Sequence, residues 1–192
     1  MTITLRPLFV GAALVATLLP GARLIAAEAP AYVKVPPGFG AEKIATVTRA
    51  RELAVAPNGD LFVGTESSSV YLVPDAQGTP GAPQVFATFE DRPVAGVFFD
   101  GATLYVGGQF GVYRLPYRAG QRTASGKPEK IATVRPSGVA SDHVTTTVAA
   151  SKGALYASVG SSCNACDPEL DATRATIQEM TLDGKQMHAR AV

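Results

Sequence analysis

The chain has 192 residues, a formal net charge of +1, 46% hydrophobic and 17% charged residues, 19 Gly, 14 Pro, two Cys, two His and no Trp. The charged share is low and the apolar share ordinary, which excludes a disordered chain; a near-neutral balance without a Lys/Arg block excludes the electrostatic footprint of a nucleic-acid binder. Many Gly, Pro, Val and Thr residues with few helix formers point to short strands joined by tight turns.

The first 29 residues read as a secretory signal peptide. Arg6 and the amino group give a positive start, residues 8–19 form an apolar run that ends at Pro20-Gly21, and small residues follow at Ala26-Ala27-Glu28-Ala29. That order of charged, apolar and small segments marks export, with cleavage after Ala27 or after Ala29. The run is shorter than the roughly 20 apolar residues a membrane-spanning helix needs, so no stable membrane span is expected. The mature chain is therefore expected to be periplasmic or secreted, in a compartment that permits disulfides.

From residue 30 onward an internal repeat sets the architecture. The hexapeptide Glu-Lys-Ile-Ala-Thr-Val occupies residues 42–47 and again 129–134, with a relative, Phe86-Ala87-Thr88-Phe89, between them. Each copy is followed by a second marker: Leu61-Phe62-Val63-Gly64, Leu104-Tyr105-Val106-Gly107 and Leu155-Tyr156-Ala157-Ser158. A period of about 40–50 residues made of short strands is the signature of β-propeller blades. Within each repeat an apolar run (53–56, 95–99, 147–150) meets a turn signal, Asn58-Gly59, Asp100-Gly101 or Lys152-Gly153, ahead of the second marker. Such dipeptides supply the positive φ of tight hairpins. Third strands follow at 70–73, 111–115 and 176–182, then a Pro/Gly-rich connection and the Ala-Thr strand. The expected fold is all-β, a β-propeller with about three blades at 41–90, 91–136 and 137–192. Those blades do not close a ring, so the chain is read as the N-terminal part of a longer protein.

The third repeat departs from the pattern. Thr46 to Leu61 spans 15 positions and Thr88 to Leu104 spans 16, but Thr133 to Leu155 spans 22. About six residues are thus inserted around positions 137–146, before the innermost strand of the third blade, at the mouth of the central channel where binding groups concentrate. This insertion carries Ser141-Asp142-His143. A histidine there is suited to general-base work near neutral pH; His188 has no assigned role. After the next strand comes Ser161-Ser162-Cys163-Asn164-Ala165-Cys166-Asp167-Pro168. No second Cys pair completes a zinc site, no His follows Cys166 to bind c-type haem, and no βαβ context supports a redox pair. In an exported chain the pair reads as a local Cys163–Cys166 disulfide that shapes the loop. Asp167, Glu169 and Asp171 lack the order of an EF-hand and read as a solvated acidic turn.

Asp142-His143, the Thr-rich strand after it, Leu155-Tyr156-Ala157-Ser158-Val159-Gly160 and Ser161-Ser162-Cys163-Asn164-Ala165-Cys166 resemble the sorbosone dehydrogenase family, related to soluble glucose and aldose sugar dehydrogenases. Pro37-Gly38-Phe39 and residues 52–64 are similar too. The resemblance implies a six-bladed propeller in the full-length protein, with pyrroloquinoline quinone as cofactor and His143 taking the proton from a sugar hydroxyl as hydride leaves the same carbon. It implies cofactor contacts at Asp142, Ser161 and Asn164, and calcium with its ligands mainly in later blades. It also implies a small sugar or aldehyde substrate and an external electron acceptor. One departure stands out: the family tends to place Arg three residues after the His, where this chain has Thr146. The competing expectation is a non-catalytic propeller that binds a protein or glycan through its channel face. A metal-dependent lactonase is disfavoured because the inner strands offer almost no carboxylates.

Overall fold

A computed structural model describes residues 33–135, 143–169 and 171–191. The expected signal peptide and Asp142 lie outside the described residues. The chain divides into two compact units, residues 1–42 and 43–192. Of the first, residues 33–42 run irregularly through a turn closed by the Phe39 amide donating to the Pro36 carbonyl at 3.1 Å.

The second unit is all-β among the described residues. Its strands are β1 (Ala50–Val55), β2 (Leu61–Thr65), β3 (Ser69–Val73), β4 (Gln84–Thr88), β5 (Val94–Asp100), β6 (Thr103–Gly108), β7 (Gly111–Pro116), β8 (Glu129–Thr133), β9 (Thr146–Ser151), β10 (Ala154–Val159), β11 (Thr176–Thr181) and β12 (His188–Ala191). They form three antiparallel meanders of four, β1–β4, β5–β8 and β9–β12. A single β2–β5 pairing, Thr65 with Val94, joins the first two. This is the propeller arrangement: each meander is a blade. The first hairpins turn where the sequence placed positive φ, at Gly59, Gly101 and Gly153.

The repeated second marker explains how blades stack. Phe62, Tyr105 and Tyr156 hold equivalent places in β2, β6 and β10. Phe62 is fully buried among residues of the first two blades, meeting Phe86, Phe99 and Tyr117 edge-on at 4.8, 4.9 and 5.0 Å. Such aromatic contacts add to the area they bury. Tyr105 is buried with Val148, Leu155 and Met180 of the third blade, and its hydroxyl donates to the Leu182 carbonyl at 3.1 Å. Tyr156 is half-buried. Two residues after the aromatic stands Gly64 or Gly107. A Cβ on Gly64 would strike the Ala95 carbonyl of β5, and one on Gly107 the Thr146 carbonyl of β9. Glycine is therefore what lets each blade lie against the next.

The first copy of the hexapeptide is not a strand. Its counterpart β8 pairs with β7, whereas no strand precedes residues 42–47 among the described residues to pair with them. Ala45 and Val47 pack instead on Leu61, Val63 and Val73 of the first blade.

Candidate functional site

His143 lies just before β9 and is half-buried. Its Nδ1 is 3.3 Å from the Ser161 carbonyl in the β10–β11 loop. A carbonyl oxygen only accepts, so the contact requires Nδ1–H, and the neutral ring then carries its lone pair on Nε2. The His143 carbonyl in turn accepts from Arg135 Nη1 at 3.1 Å. The two segments touch closely: a Cβ on Gly160 would come within 2.6 Å of the His143 carbonyl and 2.7 Å of its Cβ.

The loop that presents Ser161 is built from inside. Arg174, 1% exposed, donates from Nε to the Gly160 carbonyl at 2.7 Å and from Nη2 to the Ser161 carbonyl. The Glu169 carboxylate accepts from the Ser161 hydroxyl, the Ser162 hydroxyl and the Ser162 amide, the last at 2.9 Å. These donors, the Ser161 hydroxyl foremost, hold the Glu169 carboxyl down to about 2. Asp171 accepts from the Thr173 hydroxyl and amide, which lowers its carboxyl in the same way. Cys163 and Cys166 are joined as a disulfide, with Cα atoms 5.5 Å apart. Glu169 and Asp171 are thus engaged in ordering the loop.

His143, Ser161, Cys163, Asn164 and Cys166 all line one hollow of about 530 Å³, together with Thr145 and Glu169. Ser161 meets His143 through its carbonyl, while its hydroxyl is turned to Glu169. Asn164 is exposed on the rim. Thr146 is fully buried, its hydroxyl without a hydrogen-bond partner among the described residues, and its carbonyl faces Gly96 and Gly107.

Sequence reasoning missed the arginines. Arg135 is 1% exposed, and its Nε and Nη2 have no partner among the described residues. Burial, with the nearby Arg174 charge adding to it, pushes its guanidinium down to about 10. Its place directly before the inserted loop was the available signal. A second hollow, of about 430 Å³, adjoins the first and shares Thr145; it is lined by Arg49, Arg51, Arg92, Glu66, Gln109 and Val144. Unpaired guanidinium donors are the chemistry that suits a carboxylated group. No cluster of three or more His, Cys, Asp or Glu suited to a metal ion occurs among the described residues. No helix among them is long and apolar enough to cross a membrane.

No family model matches the chain, and no curated protein matches it. Solved structures do. The pyranose dehydrogenase PQQ domain from Coprinopsis cinerea, in its holo form, aligns with a TM-score of 0.59 at 20% identity over 74% of this chain and 35% of its own. The calcium structure of a Trichoderma reesei enzyme of carbohydrate-active family AA12 aligns with a TM-score of 0.58 at 22% identity, covering 71% and 36%. The PQQ-bound aldose sugar dehydrogenase from Streptomyces coelicolor aligns with a TM-score of 0.56 at 20% identity, covering 73% and 47%. The chain shares their fold. It spans about a third to a half of the length of these relatives.

Proposed function

We propose that the chain is the N-terminal part of an exported oxidoreductase, six-bladed when complete, that oxidises a sugar or sugar aldehyde with His143 as base and pyrroloquinoline quinone as cofactor. One observation carries the reading: the Ser161 carbonyl orients the His143 ring through Nδ1–H, which puts the basic lone pair of the neutral ring on Nε2. Nε2 takes the proton of a sugar hydroxyl, and loss of that proton makes the same carbon a better hydride donor. The quinone, when bound, supplies the two-electron sink; an external acceptor then receives the electrons.

The residues at hand suit such a cofactor in part. Asn164 offers an exposed amide on the hollow, and with Ser161 and Asp142 it is assigned to the cofactor side. Arg135, buried and donating to the His143 carbonyl, supports the backbone of that segment instead. Calcium is assigned to later blades. Arg174 and Glu169 act at one remove, holding the Ser161 carbonyl against the imidazole.

The test uses the full-length gene product loaded with pyrroloquinoline quinone and calcium, with dye reduction followed on aldoses and sorbosone. Turnover that collapses in His143→Ala is expected, by about 10²–10⁴-fold for loss of a general base. Absence of dye reduction, or an unchanged rate in His143→Ala, overturns the reading.

A further inference from the structure

Three guanidinium groups and one carboxylate line the hollow beside that of His143: Arg49, Arg51, Arg92 and Glu66. Glu66 is already paired with Arg51. Arg92 Nε reaches only the Glu66 backbone carbonyl, at 3.4 Å. The Arg49 guanidinium makes no ion pair or hydrogen bond with any of these groups or with the other described residues. Two positive charges are therefore left uncompensated in one concavity, in a chain whose whole net charge is +1. Arg49 also keeps a left-handed φ of 56°, with its carbonyl accepting from the Glu66 amide at 3.0 Å. That backbone conformation disfavours any residue with a Cβ, and glycine would adopt it freely.

Geometry links the two hollows. Thr145 lines both, so the arginine hollow lies beside the one that holds His143. A neutral sugar gains little from unpaired cations. A carboxylate relieves their mutual repulsion and accepts forked N–H donors, and Gln109 adds an amide beside them. The volume, about 430 Å³, is in the range of small-ligand clefts.

We propose that this hollow is an anion subsite that makes the molecule presented to His143 an acidic sugar, a hexuronate or another sugar carboxylate. The inference rests on the reading of His143 as the base, and deepens it by naming the substrate class.

The test is a calorimetric or NMR titration of the 192-residue chain with D-glucuronate and with D-glucose. Glucuronate is expected to bind about tenfold or more tightly than glucose, as charge-assisted hydrogen bonds imply, and the preference shrinks as salt screens the site. It disappears in the Arg49→Gln/Arg92→Gln variant and survives in His143→Ala. Both arginines are solvent-exposed, and circular dichroism checks that the variant folds. Equal binding of the two sugars, undetectable binding of both at millimolar ligand, or a preference that persists without the arginines overturns the proposal. So does a parallel titration in which the double variant weakens binding of pyrroloquinoline quinone and leaves glucuronate untouched, because the hollow then belongs to the cofactor. The two readings fail separately: loss of the anion preference tracks Arg49 and Arg92, whereas loss of dye reduction tracks His143.

Discussion

Glu169 shows how a single carboxylate sets the geometry of the imidazole without touching it. It receives both serine hydroxyls and one amide of Ser161-Ser162, and the Ser161 carbonyl that this arrangement presents is the acceptor of His143 Nδ1–H. The carboxyl sits at about 2 against an ordinary 4.5. A depressed folded value means the charged form favours the fold, so the contribution is complete above pH 4.5 and is lost as pH falls towards 2. The Ser161 and Ser162 amide resonances should hold their native shifts well below pH 4.5 and move together only as pH approaches about 2, read by an NMR pH titration. Glu169→Gln keeps the shape, removes the charge-assisted acceptors and should erase that acid transition while shifting the His143 ring signals at neutral pH. An unaltered titration in Glu169→Gln would show that the loop is held by something else.

The blade repeat was legible because it is local: an aromatic followed two residues later by a small residue recurs at Phe62/Gly64, Tyr105/Gly107 and Tyr156/Ser158, and alternation along a strand assigns those residues to the face that meets the next blade. The same register predicts what glycine does there. Gly107→Ala drives a Cβ into the Thr146 carbonyl, and overpacking of this kind costs about 1–3 kcal/mol; the melting temperature should fall accordingly, with β9 the segment displaced. Gly126→Ala, which meets nothing within 4 Å, is the control and should leave the melting temperature unchanged. What the pattern did not reveal has a physical reason as well. Residues 42–47 match β8 in sequence, yet strand formation needs a partner edge, and that is a property of neighbours. The His143 loop was found from a break in spacing. Arg135 and Arg174 were not, because a lone arginine reads as solvent-facing until the loops that bury it are in place. The sequence likewise offered Ser161 only as a cofactor contact, while the fold turns its carbonyl to the imidazole.

Across the whole molecule the apolar surface is unevenly covered. Between the first and second blades and between the second and third, aromatic and aliphatic residues are almost fully enclosed. On the first blade's innermost strand, Leu53 and Val55 are 61% and 47% exposed and lie on one face of β1, two positions apart. β1 pairs with β2 alone among the described residues, so it also offers unpaired backbone groups on its other side. An exposed apolar edge strand is a template for pairing with another chain, and the low charge density of this sequence does little to oppose it. The 192-residue chain should therefore self-associate in a concentration-dependent way by sedimentation velocity. Leu53→Lys/Val55→Lys, which places two cations on that edge and removes its apolar face, should return it to monomer with the β-sheet circular dichroism spectrum retained. The substitutions leave the half-buried β1 residue Ala54 in place against the first core, so a loss of structure in the variant is not expected. A wild-type chain that sediments as a monomer at every concentration would show that this edge is not sticky enough to matter.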